Sequence, residues 1–238
     1  MIIKLNKFSV IIVSLLILSA IFTSIIISKN YINASSTETD STAVTVIIDP
    51  GHGGEDGGAV APDDSVEKDY NLAIALKLES LLKAYGFNVI MTRTTDAMTC
   101  DDGLKTQREK KVSDIRNRLN LMSQYDNCIF VSIHQNKFHD STQNGTQVFY
   151  SKNNVNSKKL AENIQNSIQI NLQNNNKRKI KQSGTEIYLL YHATVPAVLV
   201  ECSFLSNNND LYMIKDEQYQ NKLALLIADG IIKYTNQG

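Results

Sequence analysis

Nine residues, Val46-Ile47-Ile48-Asp49-Pro50-Gly51-His52-Gly53-Gly54, constrain this chain more than any other stretch. An apolar, β-branched run that breaks at Asp-Pro into glycines around one histidine predicts a buried strand feeding a tight loop, with the imidazole lifted into a cleft. α/β proteins build metal and catalytic sites in this way. The chain holds four histidines, so few partners of that type can converge on His52.

At 238 residues, 42% of them hydrophobic and 20% charged, the chain suits one α/β domain with a substantial core and excludes wholesale disorder or a multi-span membrane protein. Basic and acidic residues balance at 24 each, which gives no electrostatic ground for a nucleic-acid partner. Phe8 to Ser28 is apolar over about the ~20 residues that a membrane-spanning helix needs. Lys4 and Lys7 precede this run and Lys29 follows it, which predicts a cytoplasmic N-terminus and an exported, extracytoplasmic body. With no clear small-residue cleavage site before Asn30, an uncleaved membrane anchor is favoured over a cleaved signal peptide. The chain thus divides into a signal or anchor segment (1–28), a polar linker rich in Asn, Ser and Thr (29–42) and one domain (43–238). Cys100, Cys128 and Cys202 are odd in number and show no paired spacing. Cys128 and Cys202 fall in apolar strands, where small buried thiols are expected rather than a disulfide.

Periodicity predicts strands over 44–48, 87–92, 128–133, 146–150, 185–190 and 197–201. Helices are predicted over 65–85, 104–124, 156–172 and 219–234, with a short one after the polar turn 206–209. In the 104–124 helix, Val112, Ile115, Leu119 and Met122 form one apolar stripe, and the charged remainder is expected to face solvent. The alternation defines an α/β fold: a single domain with a twisted, mostly six-stranded mixed sheet covered by helices on both faces. The basic stretch with Lys177, Arg178, Lys179 and Lys181 is expected to be a solvated loop, the alternative being a contact for an anionic substrate or partner.

In open α/β sheets, sites form outside the carboxyl ends of the strands. His52 follows the first strand, His134 follows the third, and Glu201 closes the sixth. Two neutral imidazoles and a carboxylate with an open fourth position make the zinc arrangement of a hydrolase rather than of a closed structural site. Glu67, in the first turn of the first helix, is the best-placed further carboxylate. Spacing leaves its role open, because Asp64-Ser65-Val66-Glu67 also reads as a capping box with Asp64 as N-cap. His139, in a polar loop, and His192, in a Tyr-His-Ala turn, compete for the metal with less in their favour. Glu201 ends the run Pro196-Ala197-Val198-Leu199-Val200, where a carboxylate is costly to desolvate without a partner or a task.

Several motifs occur in a characteristic order: Ile48 to Gly54, Glu67-Lys68, Met91-Thr92-Arg93 with Asp96, Val131-Ser132-Ile133-His134-Gln135-Asn136, Gly145 to Tyr150, and Pro196 to Glu201 followed by Phe204-Leu205-Ser206-Asn207. On these the chain resembles the zinc-dependent N-acetylmuramoyl-L-alanine amidases of the amidase-3 family, its spore-cortex members above all, over about Val44 to Tyr234. The resemblance implies that His52, Glu67 and His134 bind Zn2+ and that Glu201 is the catalytic carboxylate. The implied substrate is peptidoglycan, cut at the amide between the muramic acid lactyl group and L-alanine. In a spore-former that cut would prepare cortex muramic acid for conversion to muramic lactam, the mark read at germination. Ser203 departs from the glycine usual in the family and is expected to narrow the cleft or alter its floor. The short 135–143 connection leaves no room for an inhibitory helix, so timed expression, weak zinc retention or an activating protein is expected to provide control. A non-catalytic cell-wall binding module and a zinc peptidase acting on the stem peptide are the alternatives.

Overall fold

The protein is described by a computed structural model over residues 44–125 and 127–236. The expected anchor and linker lie outside the described residues. No helix among the described residues is long and apolar enough to cross a membrane. Twelve elements follow one another there: β1 (Thr45–Pro50), α1 (Glu67–Ala84), β2 (Asn88–Met91), α2 (Gln107–Met122), β3 (Cys128–Asn136), β4 (Gln147–Tyr150), α3 (Asn156–Asn171), β5 (Lys181–Gln182), α4 (Tyr188–His192), β6 (Ala197–Phe204), α5 (Asn208–Lys215) and α6 (Glu217–Thr235).

The six strands form one mixed sheet in the order β2-β1-β3-β6-β4-β5. β2, β1, β3 and β6 run parallel, while β4 lies antiparallel to β6. Side chains alternate across the central strands, as the pleat requires. Val46, Ile48, Val131, Val198 and Val200 enter a large core beneath α1, α3, α5 and α6, and Ile47, Phe130, Ala197 and Leu199 enter a smaller one beneath α2 and α4. Both faces of β1, β3 and β6 are therefore covered, which is why these strands read as continuous apolar runs. Cys128 and Cys202 are buried within these cores as thiols rather than in a disulfide, as expected.

Three local expectations change. The segment 185–190 is not a strand: the fifth strand is the two-residue β5, and Tyr188–His192 folds as α4, burying Leu190 in the smaller core. The polar side of α2 is not wholly solvated, for Asp114 and Arg118 are buried while Val112 is exposed. The sixth predicted strand runs on to Phe204, so Glu201 sits within β6 rather than at its end. The basic stretch is anchored through Arg178, which donates to Gln143 Oε1 at 2.6 Å and to the Asn144 carbonyl at 2.7 Å and lies over the Phe204 ring.

Candidate active site

The loop after β1 turns in a conformation that L-residues rarely adopt: His52 has φ 62°. Gly51 permits a close crossing, since a Cβ there would lie 2.1 Å from His134 Nε2. Two arginines tie the loop down by its carbonyls. Arg118 donates to Pro50 O and His52 O, both at 2.8 Å, and Arg93 donates to Pro50 O and Gly51 O, both at 3.0 Å. Arg118 also pairs with Asp49 at 2.5 Å and with Asp114 at 2.8 Å, all three side chains being buried. Burial opposes the Asp49 charge, but the Arg118 guanidinium and the hydroxyls of Ser132 and Thr92 hold its carboxyl below the usual carboxylate range.

From the far end of β3, His134 meets this loop; its ring centroid is 5.0 Å from that of His52 and the planes cross at 73°. Between them stands the buried carboxylate of Glu67, brought from the other face of the sheet by the start of α1. Its Oε1 accepts from His134 Nδ1 at 2.8 Å, from Gln135 N at 3.1 Å and from Asn71 Nδ2 at 3.2 Å. Its Oε2 accepts from Ala59 N at 2.8 Å and lies 3.3 Å from His52 Nε2. The capping-box reading of Glu67 fails, because the N-cap is Val66 and no side chain caps the helix. Burial works against the Glu67 charge, yet hydrogen bonds and charge from both imidazoles keep its carboxyl far below the ordinary range. On the outer side, His52 Nδ1 contacts Asp56 Oδ2 at 2.9 Å. Burial disfavours the charged His52 ring, but Asp56 and Glu67 outweigh it and push it up to about 9.

Among the described residues, His52, Glu67 and His134 form a group whose ligand atoms lie within 4.8 Å of one another. The donor set of two imidazole nitrogens and a carboxylate oxygen suits a borderline-soft divalent ion such as zinc. Glu201 pairs in register with His134 across β3 and β6. The residue is half-buried, but its Oε2 is shielded from solvent and has no hydrogen-bond partner, and desolvation pushes its pKa up to about 7. An orphaned carboxylate oxygen beside the cluster is a polar group still lacking its counterpart. The fit to a metal with an open position is therefore good on the chemistry of the residues themselves.

His52, His134 and Glu201 line a cavity of about 300 Å³, with Lys111 and Ile115 of α2 and the segment 186–189 forming further parts of its wall. His139 is exposed on its loop, and His192 stacks on Tyr188 with centroids 4.3 Å apart, so neither joins the cluster. Ser203 does not line the cavity; it is buried and hydrogen-bonded to Gln135. Sequence reasoning passed over Asp56, Asn71 and Arg118. A faint signal existed for Asp56 in its place four residues after His52, but none for the other two, whose positions on helices resemble ordinary polar sites.

Fold and site together define the class: a hydrolytic α/β domain whose strand-end rim can hold a metal beside a desolvated carboxylate. Comparison with known proteins narrows it. Residues 46–233 match Amidase_3, the N-acetylmuramoyl-L-alanine amidase family, and the chain belongs to that family. Its activity is that of the family, amide hydrolysis by an N-acetylmuramoyl-L-alanine amidase. It is 35% identical over 189 residues to the germination-specific N-acetylmuramoyl-L-alanine amidase of Bacillus subtilis, covering 79% of this chain and 78% of that one. The CwlD amidase of Clostridioides difficile, solved in complex with the GerS lipoprotein, superposes with a TM-score of 0.79 at 41% identity, over 82% of this chain and 100% of that one. A second N-acetylmuramoyl-L-alanine amidase, from Clostridium difficile 630, gives a TM-score of 0.70 at 31% identity, over 82% and 98% of the two chains.

Proposed function

We propose that this amidase is zinc-dependent, with His52, Glu67 and His134 as ligands and Glu201 as the catalytic carboxylate, and that it acts on spore-cortex peptidoglycan. The observation that carries the reading is the convergence of the three donors beside the unpartnered Glu201 Oε2. Bound there, zinc supplies Lewis-acid polarisation of the scissile carbonyl and acidifies a water. Glu201 takes the proton of the attacking water and delivers it to the departing amine of L-alanine. The paired carbonyl clamps of Arg93 and Arg118 hold the His52 loop still, so no reorganisation is needed at the reacting atoms. Asp56 orients His52 from behind through its Nδ1.

The cortex as substrate, and a role in germination, are supported by the germination-specific relative of Bacillus subtilis. An activating protein partner is supported by the Clostridioides difficile CwlD having been solved with a lipoprotein. The apolar run from Phe8 to Ser28 supports an exported, membrane-anchored enzyme. Mass spectrometry of cortex peptidoglycan digested by the zinc-loaded protein tests the reading. Release of intact stem peptide from muramic acid is expected; shortened stem peptides would identify a peptidase, and unchanged muropeptides a binding module.

A further inference from the structure

We infer that Ser203 is a positioning residue for the Glu67 carboxylate, acting through a buried chain of hydrogen bonds by way of Gln135 and Asn71. The inference rests on the metal reading above. Ser203, Gln135, Asn71 and Glu67 are all at least 96% removed from solvent. Ser203 Oγ donates to Gln135 Oε1 at 2.6 Å, Gln135 Nε2 donates to Asn71 Oδ1 at 3.2 Å, and Asn71 Nδ2 donates to Glu67 Oε1 at 3.2 Å. The same Asn71 amide donates to the carbonyl of Gly51 at 3.2 Å, the residue just before His52.

The direction of this chain is forced. A carboxylate and a carbonyl can only accept, so Asn71 must present its NH2 to Glu67 and Gly51. Its oxygen then requires a donor, which is the NH2 of Gln135. The Gln135 oxygen requires a donor in turn, and the Ser203 hydroxyl is that donor. The two ends of a side-chain amide have almost the same shape, so hydrogen-bond partners alone decide which end faces which neighbour. Removing the hydroxyl deprives the buried Gln135 oxygen of its Ser203 donor, and rotation of the amide in response would set oxygen against oxygen at Asn71. Donors aligned in one direction also polarise one another toward the carboxylate.

The backbone is built to bring Ser203 there. His134 pairs with Glu201 but Asn136 pairs with Phe204, so β6 carries one residue more than β3 over this stretch. Such a bulge re-aims side chains beside a site. Glu201 lies on the cavity side with Leu199 by regular alternation, and the extra residue beyond it turns Ser203 to the Gln135 amide.

Zinc affinity, measured by competition with a chromogenic chelator on the full chain, tests the inference, alongside the melting temperature of the metal-free protein. Ser203→Ala should bind zinc about tenfold more weakly, the lower end of what outer partners of a ligand confer, with Asn71→Ala at least as weak. The double variant Ser203→Ala/Asn71→Ala should be no weaker than Asn71→Ala alone, because both act through one chain; a role in packing alone would lower the melting temperature without this coupling. Should Ser203→Ala fail to fold, Ser203→Cys, of similar size and a weak donor, is read the same way. Stoichiometric zinc binding with wild-type affinity in the Ser203 variant, or losses that multiply in the double variant, would overturn the inference alone. An unaltered protein that binds no zinc would overturn the metal reading and this inference with it.

Discussion

His52 Nδ1 lies 2.9 Å from the carboxylate of Asp56, four residues further along the same loop. The contact occupies one ring nitrogen and leaves Nε2 turned toward Glu67. A carboxylate behind a ligand histidine fixes its tautomer and ring angle. Asp56→Ala should therefore weaken zinc binding by about 10–100-fold while the fold persists. Chelator competition reads the affinity and circular dichroism the fold; an unchanged affinity would remove Asp56 from the site.

Glu201→Gln keeps the shape of the side chain and all three proposed ligands but removes the base. It should retain one equivalent of zinc and lose about 10²–10⁴-fold in amidase rate. His134→Ala should lose zinc and activity together. Elemental analysis beside a peptide-release assay separates the two, and wild-type activity in the glutamine variant would falsify the assignment of Glu201.

Gly58 has φ 71°, and a Cβ there would stand 2.6 Å from both Glu67 Oε2 and His52 Cδ2. Gly58→Ala combines backbone strain with intrusion between two proposed ligands. It should destabilise the protein by more than about 1 kcal/mol and abolish stoichiometric zinc binding. Thermal melts with and without zinc measure both; a variant that still gains the wild-type increment from zinc would contradict this account.

Arg118 is buried among Asp49, Asp114 and two loop carbonyls. Breaking such a network from one side leaves uncompensated buried charge, so Arg118→Met should cost about 3–5 kcal/mol at neutral pH. The Asp49 carboxyl is lowered from its ordinary 3.8 in the folded protein, so its contribution is present above that value and declines as pH falls through the lower folded one. The stability gap between variant and wild type should accordingly narrow in acid. Urea titrations at neutral pH and near pH 3 provide the comparison, and a gap that widened in acid would contradict the stated role of Asp49.

The elements that position the site were legible because their signals are local. β1, β3 and β6 announce themselves as apolar runs buried on both faces, and the Gly51 to Gly54 punctuation marks the loop that carries His52. Segment 185–190 misled for a related reason. Its apolar residues suit a strand, yet the smaller core beneath it has room for one short helix, and tertiary packing overrode the local preference.

By itself, the sequence determined the α/β class, the histidine in the loop after β1 and the apolar runs leading to His134 and Glu201, all of which follow from periodicities of a few residues; β3 and β6 both run on past these two residues. Tertiary structure alone decided that Glu67 caps nothing and instead stands between the imidazoles, 67 positions in the chain from His134. It alone placed Asp56 behind His52, turned Arg118 inward from a charged helix, and added the residue in β6 that turns Ser203 to Gln135. The physical reason is one of range. Patterning reports which face of an element is apolar, whereas a polar side chain takes its role from partners that only the packing of distant elements brings within hydrogen-bond reach.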